Sequence, residues 1–161
     1  MTVQKNKKTL PEGEIKSRIR KYCAYQERSH REVRQKLLAL GLKFWQLDEV
    51  LSELVTSGFL NEERFAKAFA GGKFRMKQWG RNKIEHELQS RGLSKKCIQS
   101  GLKEIDEADY ARTLKQLIRK KILSLTEPNP FKKKDKVARF AISKGYEPDR
   151  VWNLVMEIMG D

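Results

Sequence analysis

Apolar residues recur along most of this chain at intervals of three and four, the spacing that lines one side of an α-helix. The first stripe begins beyond Pro11, a residue tolerated in a first helical turn, and carries Ile15, Ile19, Tyr22 and Cys23. Ser29 and Glu32, three apart, make a capping-box pattern. The helix they open places Val33, Leu37 and Leu38 on its inner face before Gly41. A third stripe, from about Phe44 to Ser57, holds Leu47, Val50, Leu51, Leu54 and Val55, and Gly58 suits the left-handed position after a helix end. Asn61 caps a helix expected to reach about Lys77, with Glu62 and Glu63 in its first turn and Phe65 and Phe69 on one face. Further helices are expected from Arg81 to Ser90, with Ile84 and Leu88 inward, and from Lys95 to Ile105 behind a Ser94 cap. Asp106 caps a long helix with Tyr110, Leu114, Leu117, Ile118 and Ile122. Pro128 and Pro130 forbid its continuation, and two helices, about Phe131–Ser143 and Pro148–Met159, close the chain. Sustained two-residue alternation bounded by turns is absent, so the expected fold class is all-α.

The apolar frame repeats. With Gly41, Gly92 and Gly145 superposed, the position eight earlier is Val33, Ile84 and Val137, and four earlier it is Leu37, Leu88 and Ala141. One later stand Leu42, Leu93 and Tyr146; six later, Leu47, Ile98 and Val151. Ten later stand Leu51, Leu102 and Val155; thirteen later, Leu54, Ile105 and Ile158. A shared glycine with a shared apolar frame implies one helix–glycine–helix corner used three times. The organisation expected is a basic tail over residues 1–9 and three-helix repeats over 10–58, 59–105 and 106–161. One such unit buries little surface alone, so neighbours are expected to support each other in an elongated, curved array.

Charge changes this picture from architecture to partner. Lysine and arginine outnumber aspartate and glutamate 35 to 21, a formal net charge of +14, which points to a polyanion. Lys73, Arg75, Lys77, Arg81 and Lys83 surround an aromatic-dotted segment with Phe74 and Trp79; Lys95, Lys96 and Lys103 follow on the next helix. Arg112, Lys115, Arg119, Lys120 and Lys121 line the long helix, and Lys132, Lys133, Lys134, Lys136 and Arg139 follow the proline segment. Any one cluster is also what a solvated helix face looks like. The set is harder to explain that way, because few carboxylates are interleaved from 73 to 83 or from 115 to 121. Such clusters hold backbone phosphates by charge, without reading sequence and with strong salt dependence. Phe74 and Trp79 suit either base stacking or core packing beside Phe65 and Phe69.

Nothing in the pattern assembles a catalytic or metal-binding set, and no cofactor is expected. Cys23 and Cys97 lack ligand spacing, and His30 and His86 do not complete a ligand group. Two free thiols suit a reducing compartment. The acidic residues gather at helix starts, where the helix dipole explains them. Gly71-Gly72-Lys73 lacks the spacing and preceding strand of a phosphate-cradling loop. No apolar run is long enough to span a membrane, and residues 1–9 lack the apolar core of a signal peptide.

Gly58-Phe59-Leu60-Asn61-Glu62-Glu63-Arg64-Phe65-Ala66, with Trp79-Gly80-Arg81-Asn82-Lys83-Ile84, Glu87-Leu88 and Arg91-Gly92-Leu93, resembles the signature of the RecX family. Ser29 to Leu42 resembles the first repeat of the same family. The resemblance covers about residues 15–159 and is most specific in the middle repeat; the chain departs from the commoner pattern at Asn61, where aspartate is usual. It implies tandem three-helix repeats and a non-enzymatic bacterial regulator of the RecA recombinase, located in the cytoplasm. Such a protein binds RecA–single-stranded DNA filaments, modulating and usually inhibiting ATPase, strand exchange and co-protease activity in repair, recombination and the SOS response. The partners so expected are the RecA filament and DNA, single- and double-stranded, without sequence preference. The protein itself is expected to be a monomer. The DNA- or filament-contacting residues are then Lys73, Arg75, Lys77, Arg81, Lys83, Lys95, Lys96, Arg112, Lys115, Arg119, Lys132, Lys133 and Lys134. A second reading stays open: a helix-turn-helix protein of transcription, with the third helix of a unit as recognition helix. Lys95 and Lys96 suit phosphates better than base edges, and three repeats suit one dimeric operator poorly.

Overall fold

In the computed structural model the described residues, 10–160, form nine α-helices and no strand. These are α1 (Glu12–Tyr25), α2 (His30–Ala39), α3 (Leu47–Thr56), α4 (Glu62–Lys77) and α5 (Arg81–Ser90), then α6 (Lys95–Leu102), α7 (Glu107–Ser124), α8 (Pro130–Ser143) and α9 (Pro148–Met159). The expected basic tail, residues 1–9, lies outside the described residues. The fold is all-α and built of tandem three-helix repeats.

The caps sit where the sequence places them. The Ser29 hydroxyl accepts from the Glu32 N–H at 3.2 Å, Asn61 from Arg64 at 2.9 Å, Ser94 from Cys97 at 3.3 Å and Asp106 from Asp109 at 3.0 Å. Each satisfies one amide that a helix start leaves without a partner. The repeated corner is a Schellman closure. The residue after the glycine donates back five positions, Leu42 to Leu37, Leu93 to Leu88 and Tyr146 to Ala141, and Phe59 to Leu54 closes α3 in the same way. Gly41, Gly92 and Gly145 have φ of 103°, 79° and 104°, the left-handed region that favours glycine.

By compactness the chain divides into two units, residues 1–65 and 66–161. The core of unit 1 is Ile15, Ile19, Cys23, Val33, Leu37, Leu42, Leu47, Val50, Leu54 and Leu60. Leu38 and Val55 are exposed instead of buried. Each is adjacent to an inward residue, and a helix of ten residues against one neighbour needs a narrower stripe than the sequence offers. The third helix also starts later than Phe44. Residues 44–46 are a 3-10 turn that leaves Phe44 and Trp45 exposed, and α3 begins at Leu47.

Unit 2 is centred on Ile84, Leu88, Tyr110, Leu114, Ile118, Val137, Ala141, Tyr146, Val151 and Val155, all but inaccessible to solvent. α6 stops at Leu102, before the expected Ile105, because Glu104 and Ile105 close 3-10-type bonds to Gly101 and Leu102. Ile105 is buried all the same. Gly101 lets α6 approach α4 closely: a Cβ there would stand 2.7 Å from the Ala66 carbonyl oxygen.

Candidate nucleic-acid interface

The basic segment after Phe69 is mostly helix. Lys73, Arg75 and Lys77 ride the last turns of α4, where positive charge complements the helix dipole, and only residues 78–80 lie between α4 and α5. Arg75 and Lys77 are exposed. Lys73 Nζ lies 5.1 Å from the centre of the Trp79 ring and Lys83 Nζ lies 4.6 Å from it, so two ammonium groups lie over the indole. Trp79 meets Phe69 edge-on at 6.4 Å and is half-buried. Phe74 is buried, its ring 5.9 Å from that of Tyr110, so core packing is its role and base stacking is closed to it.

Arg81 occupies a different setting from its neighbours. Its guanidinium lies over the Tyr110 ring at 3.8 Å, donates to Glu107 at 2.6 Å and stands 3.7 Å from Glu147. Its backbone N–H donates to the Tyr110 hydroxyl at 3.1 Å, and that hydroxyl donates to Glu147 at 2.7 Å. Arg150 completes the group, 2.7 Å from Glu107. Three helix starts, those of α5, α7 and α9, are thereby locked by one network. Burial raises both the Tyr110 and Tyr146 hydroxyls above their ordinary range, so both stay protonated.

Two basic clefts border α7. A cleft of about 690 Å³ between α7 and α9 brings together Arg112, Lys115, Arg119 and Arg150, with Glu157 as its one carboxylate. Arg112 also pairs with Asp109 on its own helix and shares a smaller hollow with Arg75. A cleft of about 540 Å³ between α7 and α8 holds Lys120, Lys121 and Lys144. Lys95 and Lys96 are exposed in the first turn of α6, and Lys103 is exposed just beyond that helix. Lys132 is exposed, Lys133 half-buried, and Lys134 buried with its ammonium 5.9 Å from the Phe131 ring. Lys136 and Arg139 are paired with Glu127 at 2.8 Å and Asp135 at 2.9 Å.

Among the described residues no cluster of histidine, cysteine, aspartate and glutamate is arranged to hold a metal, and no helix is long and apolar enough to cross a membrane. Cys23 is buried, and burial pushes its thiol up. Sequence reasoning missed Arg150, Lys144 and Gln78 as parts of the basic clefts. Gln78 carries no sequence signal, and the other two lie 38 and 24 residues from the long helix's Arg112 and Lys120.

Residues 61–102 match the family model described as RecX, second three-helix domain, and residues 107–155 match RecX, third three-helix domain. The chain belongs to the RecX family. A protein named "Regulatory protein RecX" from Clostridium botulinum (strain Eklund 17B / Type B) is 32% identical over 132 residues, covering 81% of this chain and 61% of the relative. The same name is carried by a Clostridium tetani protein, 28% identical over 86% of this chain and 62% of the relative. This RecX-family chain spans about three fifths of the length of these curated relatives. The crystal structure of RecX from Lactobacillus salivarius superposes with a TM-score of 0.80 at 18% identity, covering 91% of this chain and 95% of that one, which shows the shared fold. The relatives bear the names of regulators, not of enzymes.

Proposed function

We propose that this chain is a non-catalytic cytoplasmic regulator that binds RecA filaments on single-stranded DNA and restrains their ATPase, strand exchange and co-protease activity. The observation that carries the reading is the basic surface along α7, where Arg112, Lys115 and Arg119 border one cleft and Lys120 and Lys121 another. Membership of a family whose curated members are named regulatory proteins supplies the direction. Contacts to phosphate backbone are sequence-independent and salt-sensitive. Several modest contacts along one filament act together, because each after the first is made at high effective concentration. Restraint follows when the protein binds one filament state better than another, since only differential affinity moves a population.

RecA ATPase on single-stranded DNA, titrated with the full chain, tests this. A rate that falls with saturation is expected; a rate unaffected while the chain remains folded removes the proposal. Binding to one duplex sequence far above random single strands would favour the transcriptional reading.

A further inference from the structure

The α7–α8 cleft differs from the α7–α9 cleft and from the hollow at Arg75 and Arg112 in having no acidic lining. Lys120, Lys121 and Lys144 border it, Gln78, Gln116 and Phe140 complete most of its wall, and none of its lining residues is a carboxylate. Other cations of unit 2 are answered by carboxylates: Arg81 by Glu107, Arg112 by Asp109, Lys136 by Glu127, Arg139 by Asp135 and Arg150 by Glu107. In the cleft Lys121 Nζ lies 4.7 Å from the Phe140 ring centre and Lys144 Nζ donates to the Lys77 carbonyl at 3.3 Å. Neither contact neutralises charge.

The backbone supplies an independent observation. Gln78 has φ of 57°, the one left-handed non-glycine residue among those described. It follows α4 directly, one residue nearer its helix end than Gly41, Gly58, Gly92 and Gly145 stand after α2, α3, α5 and α8, and like them it turns the chain out of the helix in the left-handed region. A left-handed conformation costs a side-chain-bearing residue on the order of 1 kcal/mol, and such residues gather at functional sites. The Tyr146 hydroxyl holds this one by donating to the Gln78 carbonyl at 2.9 Å. The chain therefore keeps a side chain where glycine would be easier, and that side chain is exposed on the cleft wall.

We propose that this cleft seats the phosphate backbone of one nucleic-acid strand. Lys120, Lys121 and Lys144 bind neighbouring phosphates, and the amides of Gln78 and Gln116 donate to phosphate or base oxygens. The inference rests on the proposed function only in taking nucleic acid as the polyanion. A duplex carries its phosphates on a convex cylinder, whereas a cleft of about 540 Å³ admits one strand. The Phe140 face, covered by Lys121, gives a base an apolar surface when the ammonium turns to a phosphate.

The experiment measures binding of the full chain to a labelled oligothymidylate across a salt series, with no recombinase present. Each phosphate contact to a single strand contributes about 0.7 to the slope of log affinity against log salt. The Lys120→Gln/Lys121→Gln/Lys144→Gln variant is expected to lower that slope by about 2, with Lys-to-Arg replacements restoring it. The same variant should change duplex affinity far less. Gln78→Gly should raise or preserve the melting temperature while weakening single-strand binding, a combination that a structural role alone would not give. If loss of the Lys144–Lys77 bond unfolds the triple variant, the Lys120→Gln/Lys121→Gln pair should still lower the slope by about 1.4. An unchanged slope in a folded variant overturns the proposal. So does displacement of the strand by equimolar inorganic triphosphate, which would make the cleft a polyphosphate pocket. Loss of filament binding with single-strand binding intact would give the cleft to a protein partner. Intact single-strand binding through the cleft with no effect on RecA would instead sink only the proposed function.

Discussion

Gly80 and Gly145 meet backbone to backbone. The Gly80 N–H donates to the Lys144 carbonyl at 2.8 Å and the Asn82 N–H to the Gly145 carbonyl at 2.9 Å. A Cβ on Gly80 would stand 2.3 Å from the carbonyl carbon of Gly145. The corner between α8 and α9 thus docks on the segment that opens α5. Gly80 has φ of −77°, which any residue adopts, so the position is glycine for space alone.

Gly80→Ala should therefore destabilise unit 2 by about 1–3 kcal/mol, the range for forcing one extra carbon into a packed contact. Gly72→Ala is the matched control. A Cβ there meets nothing within 4 Å, and in the interior of α4 alanine should stabilise by about 0.8–1 kcal/mol. Urea denaturation of both variants checks the opposite signs.

These two glycines show what was legible in the chain and what was not. Gly41, Gly92 and Gly145 were readable because a Schellman corner is local: the glycine, the apolar residue after it and the inward residues four and eight before it all lie within one helix length. The role of Arg81 was not readable. Its charge looks like that of Lys77 or Lys83, and its partners Glu107 and Glu147 lie 26 and 66 residues away. Leu38 and Val55 were misplaced because an apolar run wider than its contact leaves the outer residue in water. Gln78 was invisible since glutamine has no preference for the left-handed region it occupies.

Tyr110→Phe isolates the hydroxyl in the Arg81 network. The side chain is fully buried, and its oxygen both accepts from the Arg81 N–H and donates to Glu147. Its removal keeps the ring contacts with Tyr146 and Phe74 but leaves the Arg81 N–H without that acceptor. A loss of about 1–3 kcal/mol is expected from chemical denaturation. A variant as stable as the parent would show that water replaces the hydroxyl.

Glu107 should make unit 2 sensitive to acid. Hydrogen bonds from Arg81 first and Arg150 second hold its carboxyl below the ordinary value of 4.5. A carboxyl with a depressed folded-state pKa stabilises fully above its unfolded value, and the stabilisation is lost as pH falls through the folded value. Melting temperature should decline below about pH 4.5 more steeply in the parent than in Glu107→Gln. The difference will be modest, because Glu107 is largely exposed and solvent screens the pair. Identical pH profiles would exclude Glu107 as a contributor.

The strongest test of the basic surface separates cations that hold the fold from cations that face solvent. Arg81→Gln should cost about 1–3 kcal/mol of stability, since its side chain is mostly covered and engages two carboxylates and a tyrosine ring. Any binding defect in that variant should shrink on cooling below its melting transition. Arg112→Gln/Lys115→Gln/Arg119→Gln, on the α7–α9 cleft, should melt within about 0.5 kcal/mol of the parent, as surface changes do. It should nonetheless weaken binding to RecA–single-stranded DNA filaments and raise the concentration needed for ATPase inhibition. Its single-strand salt slope should fall by less than about 2, because Asp109 already neutralises part of Arg112. Equal filament affinity in parent and triple variant would take the α7–α9 cleft out of the interface, leaving the α7–α8 cleft and exposed cations such as Arg75, Lys77, Lys95, Lys96 and Lys132 as the candidate contacts.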